Sequence, residues 1–457
     1  MDVEPDLVGL HDSTAGLDGD VVEQMERLVL GPETEEKMDH AGNQRRPAIL
    51  VLSPTTPSAT GNGLAMRAES MVAAAGRAHD VCLVVVALLR TGAATPSAVP
   101  GLVAVHHLAP TRTDPPTAMA DWLSDPRWRE RLPALVPLPD PSSFASPVHA
   151  AEVAALPGGV RVRAVLALRL SMALLGMAVS EQLGVPLIVD ADDDDVDLLR
   201  RQGRKDEAAA WSRLGTLCLR SAALVTVAGA PDAVGIRHRY GLSNEVEVEV
   251  VPNSVVVPSP STLVPRPNDR RILFLGNLTY EPNIEGAGWL VGNVLQLLDD
   301  RWSVDLVGSP GPAIETLAGP RVAVRGHVHD VADAYARADV AVAPLLKGSG
   351  TRIKVIEAMA YGRPVVATTA GCAGIDAVPG THLLVADRPD DFARRVSSLE
   401  DPALADRLVA SAAELVARSY DSTTVIESAS SLFRSVTSVI GTGESGDPGT
   451  ERGQRPT

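Results

Sequence analysis

The chain predicts an α/β protein of two Rossmann-like, doubly wound parallel-sheet domains facing a central cleft. Three observations carry that prediction. Short apolar strands alternate with helical patterns along most of the 457 residues, which is the signature of βα units stacked into a parallel sheet. A proline-rich run, Pro258-Ser-Pro-Ser-Thr-Leu-Val-Pro265-Arg-Pro267, interrupts the alternation midway, with few donors and little periodicity, and reads as a linker. Each half also contains a strand followed by a glycine turn and a helix, a geometry that aims backbone N–H groups and a positive helix end at an anion.

Composition narrows the function. A formal charge of −16 and an aromatic content of 3% disfavour nucleic acid, which needs basic surface and stacking platforms. Cys82, Cys218 and Cys372 lie far apart without metal spacing, so no disulfide framework is expected and a reducing cytoplasm is the expected home. The amino terminus lacks a signal-peptide layout. No apolar run reaches the roughly 18–20 residues needed to span a bilayer. Peripheral contact with a membrane stays open.

The expected organisation runs as follows. Residues 1–44 are an acidic arm with little apolar periodicity. Residues 45–257 form the first domain, opening with the strand 47–53, the turn containing Gly61 and Gly63, and a helix through Met66, Met71 and Val72. The spacing matches neither a dinucleotide fingerprint nor a Walker loop. An insertion over about 111–156 carries Trp122 and Trp128 and reads either as a specificity element or as a flap packed on its tryptophans. A strand then ends at Arg169, where ligands of open α/β sheets collect, so Arg169 is a candidate anion contact or a salt-bridged structural arginine. The next strand ends in the run Asp190-Ala-Asp192-Asp193-Asp194-Asp195-Val-Asp197, open between a divalent metal and an acidic helix start. Residues 258–268 are the linker and 269–415 the second domain. A long helical run, 403–435, crosses back over the first domain (416–437 in the domain division), and 438–457 is a Gly-, Ser- and Pro-rich tail. The pair His327 and His329 could ligate a metal but lacks a nearby third ligand.

The stretch Lys347-Gly-Ser-Gly-Thr-Arg352-Ile-Lys354-Val-Ile-Glu357 organises the second half. Its glycines let a phosphate approach the backbone with no Cβ in the way. Gly350, Lys354 and Glu357 share one helical face, offering donors at the mouth, a cation beside it and a carboxylate one turn deeper, suited to the hydroxyls of a ribose. An ordinary helix start with a Lys354–Glu357 surface pair reads equally well from these residues alone.

Several blocks in order resemble a GT-B glycosyltransferase of family 4, the group 1 glycosyltransferases. They are the segment from Ala343 to Thr368, Gly326-x-Val-x-Asp330 with Tyr335-Ala-x-Ala-Asp339, Phe274-Leu-Gly276 with Pro282-Asn283, and Val251-Pro-Asn253. The resemblance covers about residues 45–435. It implies a retaining hexosyltransferase that needs no metal or other cofactor and takes a nucleotide-diphosphate sugar as donor. Its acceptor, a glycan, glycolipid or secondary metabolite, is left open. It also implies that Glu357 holds the ribose. Gly348, Ser349, Gly350 and Thr351 would hold the diphosphate and sugar, with Gly61, Gly63 and Gly276 in the donor site. Arg352 and Lys354 would balance leaving-group charge, with Arg169 as the acceptor-side catalytic candidate. The chain departs from the pattern in three places. Ser349 stands at the first glutamate position, Asn277 and Leu278 where an Arg and a Lys are usual, and Arg169 where a histidine is common. A nucleotide-sugar epimerase and a catalytically silent partner protein are the competing readings on the same fold.

Overall fold

The computed structural model describes residues 46–438, except 60–62, 87–98, 109–121, 123, 141–143, 193, 260–262, 265, 329 and 348–351. The acidic arm, most of the tail, Gly61, His329 and residues 348–351 therefore lie outside the described residues. From Arg46 onward the chain forms one compact unit.

The first half opens with β1 (Ala48–Ser53), α1 (Gly63–Ala78), β2 (Asp80–Val86) and β3 (Leu102–Leu108). Next come α2 (Pro126–Leu135), α3 (Ala150–Ala155), β4 (Val162–Leu168), α4 (Leu170–Leu183) and β5 (Leu187–Asp192). It closes with α5 (Asp195–Arg201), α6 (Lys205–Arg220), β6 (Leu224–Val227), α7 (Ala230–Tyr240) and β7 (Glu247–Val250). The strands form one seven-stranded sheet in the order β3-β2-β1-β4-β5-β6-β7, with every pair parallel. Strand β1 is buried along its whole length, as a central strand covered by helices on both faces must be.

The second half repeats the plan. It runs β8 (Arg271–Leu275), α8 (Glu281–Trp289), β9 (Ser303–Val307), α9 (Pro312–Glu315), β10 (Val322–Gly326), α10 (Val331–Ala336) and β11 (Val340–Ala343). Then follow α11 (Ile353–Ala360), β12 (Val365–Ala367), β13 (Leu384–Val385), α12 (Pro389–Ser398), α13 (Pro402–Ser419) and α14 (Ser422–Ser438). The strand order is β10-β9-β8-β11-β12-β13. In both sheets the order reverses beside the first strand, so the topological switch points lie at β1/β4 and at β8/β11, where such folds open a crevice beyond the strand ends.

Four expectations change in detail. The single helical run over 403–435 is two helices, α13 and α14, broken at Tyr420-Asp421, where Asp421 accepts from the Thr423 N–H at 3.0 Å to start the second. A side-chain acceptor at that point competes with helix continuation. The helix expected at 284–298 starts at Glu281 and continues past Trp289 as a π turn (Leu290–Val294) and a 3-10 turn (Leu295–Leu297), in a segment that Gly286, Gly288 and Gly292 make a poor α-helix former. Strand β5 extends to Asp192, so the first two aspartates of the run belong to the strand. Helix α12, an element the sequence pattern does not predict, buries Phe392 and Val396 one turn apart.

The tryptophans of the insertion are core residues. Trp122 lies 5.7 Å from Trp128 and 6.2 Å from Phe144, which meets Trp211 at 6.4 Å (ring centroids). Their large apolar area fixes this segment onto α6. Cys82 and Cys218 are buried, and burial pushes both thiols up, so they behave as plain core groups. Helix α14 returns to the first sheet: Val425, Ala429 and Phe433 pack in one cluster with Ala68, Met71 and Val72 of α1. The crossing is tied to the residues before the linker, since Val255 donates to Tyr420 O and Ser422 donates to Val255 O, both at 2.9 Å.

Candidate functional site

The site forms at the carboxyl end of the second sheet's switch point. Strand β8 ends at Leu275, and on the next residue, Gly276, a Cβ would lie 2.8 Å from the Lys354 Nζ; glycine leaves the room that this ammonium occupies. Lys354 comes from the first turn of α11, and its Nζ donates to Asn283 Oδ1 at 2.7 Å. It also sits 4.7 Å from the centroid of the Phe274 ring, a cation–π distance. Asn283 is itself fixed, donating to Asn277 O at 2.7 Å. The lysine is thus held beside the strand end by a neutral amide and a ring. Desolvation, with a smaller contribution from Arg352, lowers its pKa to about 7.

Glu357 lies one turn further along α11 on the same face. Its Oε2 accepts from the Tyr335 hydroxyl at 2.9 Å, and Tyr335 stacks on Tyr361, centroids 4.8 Å apart and planes 12° from parallel. Burial raises the Glu357 pKa, and the Tyr335 hydrogen bond opposes that rise. Arg352 is buried at the head of α11, and its Nε donates to Ala370 O at 3.0 Å. After β11, Lys347 pairs with Glu281 at 3.2 Å and Glu285 at 3.3 Å, both on α8. From the other half, Gly63 opens α1 against this site: a Cβ there would lie 3.1 Å from Ile353 Cδ1. The starts of α1 and α11 therefore converge, and each presents a positive helix end to the same space.

The structure thus brings Gly63, Gly276, Arg352, Lys354 and Glu357 around one segment, the head of α11. Gly61 and the Gly348, Ser349, Gly350 and Thr351 positions lie outside the described residues. Arg169 belongs to a separate network at the first sheet's switch point. It adopts a positive φ of 73°. Its Nη1 meets Asp192 Oδ2 at 2.7 Å, and its Nη2 bonds Asp195 Oδ1.

The aspartate run is resolved by arginines and backbone. Buried Arg67 binds Asp190 with Nε at 2.8 Å and Nη2 at 2.6 Å, and Thr226 donates to the same carboxylate at 2.7 Å. Asp194 accepts from the Asp197 N–H, starting α5, and from Arg239 Nε at 2.7 Å. Among the described residues no group of three His, Cys, Asp or Glu is placed to hold a metal. Asp232, at the start of α7, has its pKa raised to about 6 by desolvation and by neighbouring Asp192 and Asp194.

Sequence reasoning missed three contributors. Tyr335 and Asn283 stand inside quoted blocks, yet their partners lie 22 and 71 residues away along the chain. Arg67 carried a local signal, a lone arginine on the apolar face of α1, since a buried guanidinium requires a carboxylate partner.

Residues 269–401 match the family described as "Glycosyl transferases group 1". No curated protein matches the chain in sequence. Among solved structures, the chain is similar to sucrose-phosphate synthase from Thermosynechococcus elongatus (18% identity, TM-score 0.63, 86% of this chain and 100% of that one). It is also similar to the Anabaena protein HepE in complex with UDP and glucose (15%, TM-score 0.60, 85% and 100%). A third is α,α-trehalose 6-phosphate synthase from Burkholderia multivorans (14%, TM-score 0.56, 90% and 100%). At these identities the likeness is one of fold. Residues 269–401 thus resemble a group 1 glycosyltransferase domain, and the chain shares the two-domain GT-B fold of these structures.

Proposed function

We propose that the protein transfers a hexose from a nucleotide-diphosphate sugar, with retention at the anomeric carbon and without a required metal. The observation that carries this reading is the head of α11. Lys354 is held against Gly276 at the strand end, and Glu357 lies one turn deeper with one oxygen bonded to Tyr335. A diphosphate seated at the convergent helix starts meets backbone donors, the Lys354 ammonium and the Arg352 guanidinium. When the glycosidic bond to the nucleotide breaks, negative charge grows on the leaving diphosphate, and these fixed dipoles and cations stabilise it. They supply the charge that a divalent ion supplies in metal-dependent transferases. Glu357 accepts from the ribose hydroxyls. Approach of the two halves over the donor excludes the water that would otherwise hydrolyse it. A uridine donor is the first choice, because the HepE structure of the same fold holds UDP.

The acceptor enters from the first half, where the Arg169–Asp192–Asp195 network lines the strand ends. A second reading, a partner protein that binds nucleotide without turnover, draws on that same network, because Arg169 is engaged by two carboxylates.

The test is calorimetric binding of a panel of nucleoside diphosphates and sugar nucleotides, with donor hydrolysis followed alongside, for the native chain and Glu357→Ala. Binding and slow hydrolysis, both weakened at least about tenfold in the variant and unchanged by EDTA, are the expected result; that corresponds to about 1.4 kcal/mol. Binding without hydrolysis for every donor favours the silent partner. Unchanged binding in Glu357→Ala removes Glu357 from the site. Once a sugar acceptor is found, the anomeric proton coupling of the product reads the stereochemistry.

A further inference from the structure

We propose that Tyr335 is a positioning residue of the donor site, one that orients the Glu357 carboxylate so that it accepts both hydroxyls of the donor's ribose. This rests on the reading of Glu357 given above and adds a residue to it.

The geometry comes first. Tyr335 is buried on α10, and its hydroxyl meets Glu357 Oε2 at 2.9 Å. Its ring lies flat on Tyr361, the residue that ends α11 four positions after Glu357. The phenol is therefore clamped by stacking and aimed at one carboxylate oxygen. A charged carboxylate has about four acceptor sites. With one taken by Tyr335, and no other hydrogen bond to the carboxylate among the described residues, the rest of Oε2 and Oε1 are open to a vicinal diol. A protonated carboxyl loses that symmetry, because one oxygen becomes a donor.

The electrostatics point the same way. Burial favours the neutral acid at Glu357, and the Tyr335 hydrogen bond is the influence that opposes it. The other groups around the pair do not take that role. Lys354, one turn earlier on α11, directs its ammonium to Asn283 and Phe274, and Asp330, at the start of α10, acts on Tyr361 as a like charge. Burial and the Glu357 charge hold the Tyr335 phenol well above its ordinary pKa, so it stays a donor across the working range.

The test compares UDP with 2′-deoxy-UDP, or the corresponding pair for whichever diphosphate of the panel binds best, by calorimetry between pH 5 and 8. In the native chain the ribonucleotide binds more tightly. Tyr335→Phe is expected to weaken the ribonucleotide about tenfold, the scale of one hydrogen bond to a charged group, and to weaken the deoxynucleotide, which offers Glu357 only its 3′-hydroxyl, by clearly less. The pH at which ribonucleotide binding falls away on acidification should also move up by about one unit, as the carboxyl loses the bond that favours its charged form. Equal losses for both nucleotides, no loss, or an unmoved acid limb would overturn the proposal. Should Tyr335→Phe fail to fold, replacing the five tyrosines with 3-fluorotyrosine keeps the hydroxyl and strengthens it as a donor. The acid limb must then move down, and an unmoved limb overturns the proposal. A native chain that binds no diphosphate, or ignores the 2′-hydroxyl, refutes the reading of Glu357 itself. A native preference that persists in Tyr335→Phe removes only Tyr335.

Discussion

Lys354 is a cation stored in a nearly neutral state. Its pKa of about 7 lies well below the ordinary lysine value, because desolvation costs the charged form and the nearby Arg352 adds a like charge. The sign follows directly. In the folded chain the charge is present below about pH 7 and lost above it, whereas the unfolded chain keeps its proton to about pH 10.4. Between those values the unfolded state binds more protons, so this group's contribution to stability rises with pH. A diphosphate reverses the balance by favouring the ammonium. Binding of a nucleoside diphosphate at pH 8 is therefore expected to take up close to one proton, seen as a binding enthalpy that changes with the ionisation enthalpy of the buffer. In Lys354→Met the uptake should vanish and affinity should fall about tenfold or more, the scale of a charge-assisted phosphate contact. A buffer-independent enthalpy in the native chain would place the phosphates elsewhere.

The strand ends of β8 and β9 are built together. Gly308 follows β9 with φ 141°, and a Cβ there would lie 1.8 Å from Gly276 O, the residue against which Lys354 rests. Gly308 also donates to Gly326 O at 2.8 Å, joining β9 to the end of β10. Only glycine satisfies both the backbone angle and the approach. Gly308→Ala is expected to destabilise the chain by at least about 2 kcal/mol, measured by urea unfolding, and to weaken nucleotide binding by moving Gly276. Unchanged binding in a destabilised variant would separate the β8 end from the site. The elements themselves were legible in the sequence, because continuous apolar strands and 3.6-residue periodicity are local signals. Boundaries shifted where another signal competed: Gly286, Gly288 and Gly292 in and after α8, and Asp421, whose side chain starts a new helix.

The two halves are joined by more than the linker. Helix α14 leaves the second sheet and buries Val425, Ala429 and Phe433 against α1 of the first, while Arg77 and Glu427 pair across the same seam at 2.9 Å. That exposed pair contributes little; the buried phenylalanine carries the contact. Phe433→Ala is expected to cost about 3–5 kcal/mol, read from denaturant unfolding, with the loss borne by the first sheet although the residue lies near the end of the chain. A loss under about 1 kcal/mol would mean that the seam collapses around the vacancy. Helix α1 bears both this seam and, at its start, Gly63 beside Ile353. The crossing helix is thus part of what sets the first half against the head of α11.

The sequence by itself determined the class of fold, the order of strands and helices along the chain, and the segment around which the candidate site forms. Each is written in local terms: strand runs, a glycine turn, and a helix with Lys354 and Glu357 on one face. Tertiary structure alone decided which groups meet. Strand order brings Gly276 and Asn283 to Lys354, and α10 to Glu357, so Tyr335 becomes part of the site from 22 residues upstream. Arg169, placed by the sequence at a strand end, acquired its two aspartates only when β4 and β5 paired. The run of aspartates found arginines on α1 and α7 as its counter-charges. The physical reason is range. Periodicity and turn chemistry act between neighbours along the chain, whereas the partner of a buried charge is fixed by packing between elements far apart in sequence.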